Sequence, residues 1–119
     1  MNIFTWLLVG HLLGDWLLQN DWMAKGKKQS LFNPAGMVHF TVYTVTIVGT
    51  LWLLSSTNKG PVFYLILGVF VFVSHWLIDA TRVVDNWIRF YHQSDSTMVR
   101  VMVDQTLHIL VLAIITILA

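Results

Sequence analysis

Seven ionisable residues stand inside otherwise apolar stretches of this sequence: His11, Asp15, His39, His75, Asp79, Asp104 and His108. Six of the seven fall into pairs spaced i, i+4, which on a helix places both side chains on one face, one turn apart. Two pairs read His-x-x-x-Asp (His11 with Asp15, His75 with Asp79) and the last reads Asp-x-x-x-His (Asp104 with His108). If the helices that carry them alternate in direction as expected, reversing motif and helix together brings every aspartate to the same side. Imidazole nitrogens and carboxylate oxygens are the donors left for a divalent metal in a chain without cysteine, and this chain has none. Such a donor set exceeds what one tetrahedral ion takes and suits one or two ions, zinc first, with manganese or iron(II) as alternatives. All seven residues are therefore expected metal ligands. Asp15, Asp79 and Asp104 are also the expected catalytic carboxylates, one that is not fully engaged in ligation serving as general base to metal-bound water.

The elements that must position these residues are membrane-spanning helices. Of 119 residues, 56% are hydrophobic and 11% charged, an imbalance that a water-soluble fold of this size would struggle to hide. A bilayer core of about 30 Å needs roughly 20 apolar residues of helix. The sequence offers such stretches at about 3–22, 35–54, 62–80 and 97–118. The expected fold is an all-α, polytopic integral membrane four-helix bundle, a single transmembrane domain over residues 1–119. Pro34 is placed for the first turn of the second helix, Ser55 to Pro61 reads as a tight turn, and Asp95-Ser96 can cap the last helix. Arg82 to His92 suits either an extension of the third helix or a segment lying in the interface, with Asp85 and Arg89 spaced as an i, i+4 ion pair.

Lys25, Lys27 and Lys28 lie in the first connection and Arg82, Arg89 and Arg100 in or beside the third, against Lys59 alone in the second. The excess of positive charge predicts both termini outside and the first and third connections cytoplasmic, in a bacterial inner membrane. With about 1.5 Å of rise per residue, the ionisable groups then share one depth, roughly 5–16 Å below the cytoplasmic boundary. No basic residue precedes Lys25, so the first helix is expected to be retained rather than cleaved. The basic residues form no arginine-rich or aromatic-interleaved face, which argues against nucleic acid as a partner.

An aspartate near the centre of a span costs about 2.5–3.5 kcal/mol, so such groups turn inward and are usually functional. A metal-dependent hydrolase follows as the first reading, with membrane lipids around it and an anionic lipid or a phosphate drawn to Lys25, Lys27, Lys28 and Arg82 as substrate. A metal or proton relay through a homo-oligomer is the second reading, and a small interaction subunit with a structural polar core the third. Gln19 and Gln105 are candidates to orient ligands or to bridge helices, and Gly10 and Gly14 to allow close helix packing.

The run from His11 through Gly14-Asp15 to Gln19, Asp21 and Trp22, followed by His39, His75-x-x-x-Asp79 and Asp104-Gln105-x-x-His108, resembles an uncharacterised family of small bacterial and phage integral membrane proteins. That resemblance implies the fold and the motif positions and assigns no activity. In motif style the chain is more distantly similar to the membrane-bound metal-dependent hydrolases of the LexA-regulated type, whose intramembrane His and Asp residues imply metal-assisted hydrolysis.

Overall fold

Prolines and capping side chains divide the chain into helices, and the computed structural model, which describes residues 1–119, contains no strand. Helix α1 (Ile3–Leu12) starts at Asn2, whose side chain accepts from Thr5 N at 2.9 Å. It continues as a π-helical turn, Leu13–Leu17, closed by Leu18 N donating to Leu13 O at 2.8 Å. The chain then leaves the helix. Asn20 restarts it by accepting from Met23 N, giving the short α2 (Asp21–Gly26).

The expectation of one continuous helix over 3–22 is therefore corrected: the apolar run holds a π turn and a break. A π turn fits one more residue into each hydrogen-bonded ring and widens the helix, a device often found at functional sites. The residue it re-aims is Asp15.

Asn33 and Pro34 start α3 (Pro34–Leu54), the proline occupying the first turn where its missing N–H costs nothing. Gly60, at φ 82°, makes the left-handed step that lets Pro61 open α4 (Pro61–Ala80). A bend at Thr81 and Arg82 separates α4 from α5 (Val83–Phe90), so this segment is a helix of its own rather than an extension. Ser96 caps α6 (Thr97–Leu118) by accepting from Val99 N. The expected pairing of Asp85 with Arg89 is not formed: Asp85 binds Arg100 of α6, which also binds Asp95, and Arg82 stands 3.9 Å away. Arg100 wins because α5 packs on α6 and brings the carboxylate to it.

Helix α1 packs on α3 and α6, α3 on α4, and α4 on α6, closing a ring of helices, while α2 rests on α3. Helices α3, α4 and α6 are each long and apolar enough to cross a membrane. The α1 segment with its π turn, Ile3–Leu17, is shorter. The interior of the ring has two halves. Leu7, Ile47, Leu51, Leu67, Val71, Leu112 and Ile115 fill one with apolar packing, bounded by Tyr43. The other half holds the histidines and aspartates.

Two close approaches fix the connection beneath that polar half. A Cβ on Gly26 would collide with the Cβ of Ala35 and lie 2.6 Å from Asn33 Oδ1. A Cβ on Gly36 would lie 3.0 Å from the backbone of Lys27. Both glycines let the α2–α3 connection press against the start of α3. Gly26→Ala should accordingly cost about 1–3 kcal/mol by overpacking, read as a lower unfolding temperature in detergent. Gly49→Ala, where nothing stands within 4 Å, is the control expected to lose nothing.

Candidate metal centre

The π turn, the first turns of α3, the end of α4 and the start of α6 lie at one end of the ring, so the helices deliver their polar residues to one place. His39 from α3 and His75 and Asp79 from α4 meet Asp15 from the π turn, all four buried. His39 Nε2 is 2.9 Å from His75 Nε2, 3.2 Å from Asp15 Oδ1 and 3.4 Å from Asp79 Oδ2. His75 Nε2 is 3.5 Å from Asp15 Oδ1 and 3.2 Å from Asp79 Oδ2.

Metal–ligand bonds of about 2.0–2.2 Å in a tetrahedron set the ligand atoms roughly 3.3–3.5 Å apart. Four separations here, 3.2 to 3.5 Å, are close to the edges of such a tetrahedron, and the His39–His75 distance of 2.9 Å is shorter. Asp15 Oδ1 and both oxygens of Asp79 are buried without a hydrogen bond. Buried carboxylate oxygens of that kind are costly, and a cation among them removes the cost.

The hydrogen-bond network also fixes which nitrogen of His75 is bare. His108 Nδ1 lies 2.8 Å from the backbone carbonyl of Asp104, which can only accept, so in a neutral ring Nδ1 carries the proton. His108 Nε2 is then an acceptor, and His75 Nδ1, 2.9 Å away, must donate to it. That leaves the lone pair of His75 Nε2 aimed at His39 and the carboxylates, as a ligand requires, while His39 Nε2 donates to it at 2.9 Å and would give up that proton on binding a metal. The ring of His75 is further held by Tyr43, stacked on it at 3.8 Å between centroids.

Other expected ligands are placed around this set. His11 is buried, but its two nitrogens are taken by Tyr43 Oη at 2.9 Å and Gln105 Oε1 at 2.8 Å. Because the Gln105 oxygen only accepts, His11 Nε2 donates and Nδ1 accepts from the tyrosine. No lone pair remains free on this ring, and His11 stands apart from the two groups whose atoms come within ligand range. Asp15, Asp104 and His108 also come within ligand range of one another. Their atoms are engaged, however: Gln105 Nε2 donates to Asp104 Oδ2 at 3.1 Å and to Asp15 Oδ2 at 3.4 Å, and His108 is bound as described. Gln105 is thus the bridge among His11, Asp15 and Asp104. Gln19 is at the cavity edge with its Oε1 unpaired.

Lys27 is the residue that sequence reasoning assigned elsewhere. Instead of lying in a solvated basic loop it is buried, its Nζ 2.8 Å from Asp79 Oδ2 and 3.7 Å from Asp15 Oδ1. The distance makes an ion pair, but the approach is off the hydrogen-bonding direction, which leaves the Asp79 oxygens orphaned as stated. Burial opposes the ammonium, yet Asp79 and Asp15 together hold its pKa above the ordinary lysine range. Glycines at 26 and 36 were the available signal, since they open the path for the backbone that carries Lys27.

From Asp15 and Asp79 a cavity of about 700 Å³ opens outward, with Lys27, Lys28, Arg82 and Arg100 on its walls and Asp104 at its side. The cluster therefore borders this cavity through Asp15 and Asp79, and the cavity walls carry cations. Residues 3–119 match the family described as a protein of unknown function (DUF3307). No curated protein and no solved structure matches the chain.

Proposed function

We propose that this chain, which belongs to the DUF3307 family of proteins of unknown function, is a membrane-embedded, metal-dependent hydrolase of phosphoesters. In this reading α1 with its π turn, α3, α4 and α6 form a four-helix bundle across the bilayer. The basic connections and the mouth of the cavity face the cytoplasm. The observation that carries the proposal is the convergence of four buried ligand residues, two of which, Asp15 and Asp79, border a cation-lined cavity.

His39, His75, Asp15 and Asp79 would hold one divalent ion, zinc being the best match to two imidazoles and two carboxylates. Such an ion, if it kept a fifth position open, would lower the pKa of a water held there and could polarise a phosphoryl oxygen. Asp104 is outside the ligand set, part-exposed on the cavity and steadied by Gln105, which suits it to act as general base. Lys27, Lys28, Arg82 and Arg100 would hold the anionic group. The similarity in motif style to the membrane-bound hydrolases of the LexA-regulated type points the same way.

A second reading is favoured by Lys27 itself: an ammonium that already balances two carboxylates would make the cluster a metal-free structural core. Transport is disfavoured, because the apolar half beyond Tyr43 closes the way across the ring. The test is p-nitrophenol release from p-nitrophenyl phosphate and bis-p-nitrophenyl phosphate by purified protein, with and without added zinc or manganese. The hydrolase reading predicts metal-dependent turnover that Asp104→Asn lowers about 10²–10⁴-fold while bound metal is retained. Stoichiometric metal with no turnover of either ester, or turnover indifferent to Asp104→Asn, contradicts it.

A further inference from the structure

The cavity does not open only toward the basic connections. Helix α1 packs on α6, but the π-helical turn that continues it packs on α3 and not on α6. A gap is left between the π turn and the start of α6, and Gln105 forms its floor by bridging Asp15 and Asp104. The two sides of this gap are apolar: Trp16, 64% exposed, on the π turn and Val101, 43% exposed, on α6, both lining the cavity. Leu13 and Leu17 on one side and Met98 and Met102 on the other continue the exposed apolar surface around it.

A soluble anion would need only the cationic mouth. A gap open to the side adds nothing for such a ligand and brings the polar floor at Gln105, Asp15 and Asp104 close to acyl chains. An anionic phospholipid uses both features, its phosphate against Lys27, Lys28, Arg82 and Arg100 and its chains leaving sideways past Trp16 and Val101. We infer that the substrate is an anionic phospholipid that enters laterally between the π turn and α6. This rests on the hydrolase reading for its chemistry, but the binding site it describes stands on the geometry alone.

The lateral route makes Val101 the residue whose size matters and the rim cations the residues whose charge matters. Val101→Trp fills the gap from an exposed position on α6, where a larger side chain meets no packed core. Lys28→Gln and Arg82→Gln, both exposed, each remove one charge worth about 1 kcal/mol of anionic-lipid attraction, roughly fivefold in affinity.

The experiment is titration calorimetry of the protein as purified in dodecylmaltoside with dioctanoyl phosphatidic acid, dioctanoyl phosphatidylcholine and inorganic phosphate, recording metal content and phosphate release in the same samples. Phosphatidic acid should bind at least tenfold more tightly than phosphatidylcholine or inorganic phosphate. Val101→Trp should weaken phosphatidic acid tenfold or more and leave inorganic phosphate unchanged, and each rim variant should weaken it about fivefold. Equal affinity for inorganic phosphate and phosphatidic acid, or lipid binding untouched by Val101→Trp, overturns lateral entry even if soluble esters are hydrolysed. Phosphatidic acid that binds with this pattern but is never cleaved, in protein without metal, keeps the lipid site and overturns the hydrolase reading instead.

Discussion

Lys27→Met should destabilise the metal-free protein by about 3–5 kcal/mol, the usual loss when one partner of a buried ion pair is removed. Asp79 and Asp15 would be left as buried carboxylates with no lysine or arginine beside them, only imidazoles, since Lys27 is the only ammonium that meets them. The same substitution should be far milder in metal-loaded protein, because a divalent ion supplies the charge that the lysine no longer does. Thermal unfolding in detergent, run with chelator and with zinc, separates the two states. The pH dependence has a definite sign. A lysine whose folded pKa is raised contributes its full stability below the unfolded value and loses it as pH rises through the folded one. The gap between wild type and Lys27→Met should therefore be constant from neutral pH up to the ordinary lysine range and narrow only above it. A gap equal with and without zinc would show that Lys27 and a metal do not answer the same charge.

Loss of the metal on removal of a single imidazole is the second large effect. Apparent binding energies of about 10–16 kcal/mol for four-ligand structural zinc sites correspond to roughly 2.5–4 kcal/mol per ligand, or about 10²–10³-fold in affinity. His39→Ala and His75→Ala should each lose that much. His108→Ala, which removes the group that holds His75 in its tautomer and stands 3.4 Å from Asp79 Oδ1, should cost about 10–100-fold. His11→Ala should cost least, since His11 reaches the site only indirectly, through Gln105 and Tyr43. Competition against a chromophoric chelator reads all four. A flat series, or one in which His11 ranks with His39, would mean that the ligand set is drawn wrongly.

This ordering could not be read from spacing. His11 and His75 stand in identical His-x-x-x-Asp motifs, yet only His75 faces the cluster. The difference is the π turn, which breaks the α-helical register just after His11 and sends Asp15 inward while His11 meets Tyr43 and Gln105. Nothing in an apolar run announces a π turn. The restart after it had a signal in Asn20-Asp21, a capping residue followed by an acid suited to a first turn, that the hydropathy of the stretch masked. By contrast, α3, α4 and α6 were legible to within a residue or so because apolar length is bounded there by Asn33-Pro34, Gly60-Pro61 and Ser96. His39, His75 and Asp79 were legible for an energetic reason: ionisable groups are too costly in such helices to be there without a common partner. Lys27 was hidden by a sufficient alternative, since a basic loop is expected beside a span whatever its side chains touch. Its burial depends on Gly26 and Gly36 admitting the connection to α3, a tertiary fact.

X-ray absorption at the metal edge, on protein purified without added metal or chelator, tests the four-ligand centre most directly. One metal per chain is predicted, with five nitrogen or oxygen neighbours at about 2.0–2.2 Å, two of them imidazole and one a water, and one imidazole fewer in His39→Ala. Fully folded protein carrying no stoichiometric metal, or a metal whose neighbours are unchanged by His39→Ala, would contradict it and leave Lys27 as the cation that the site was built to hold.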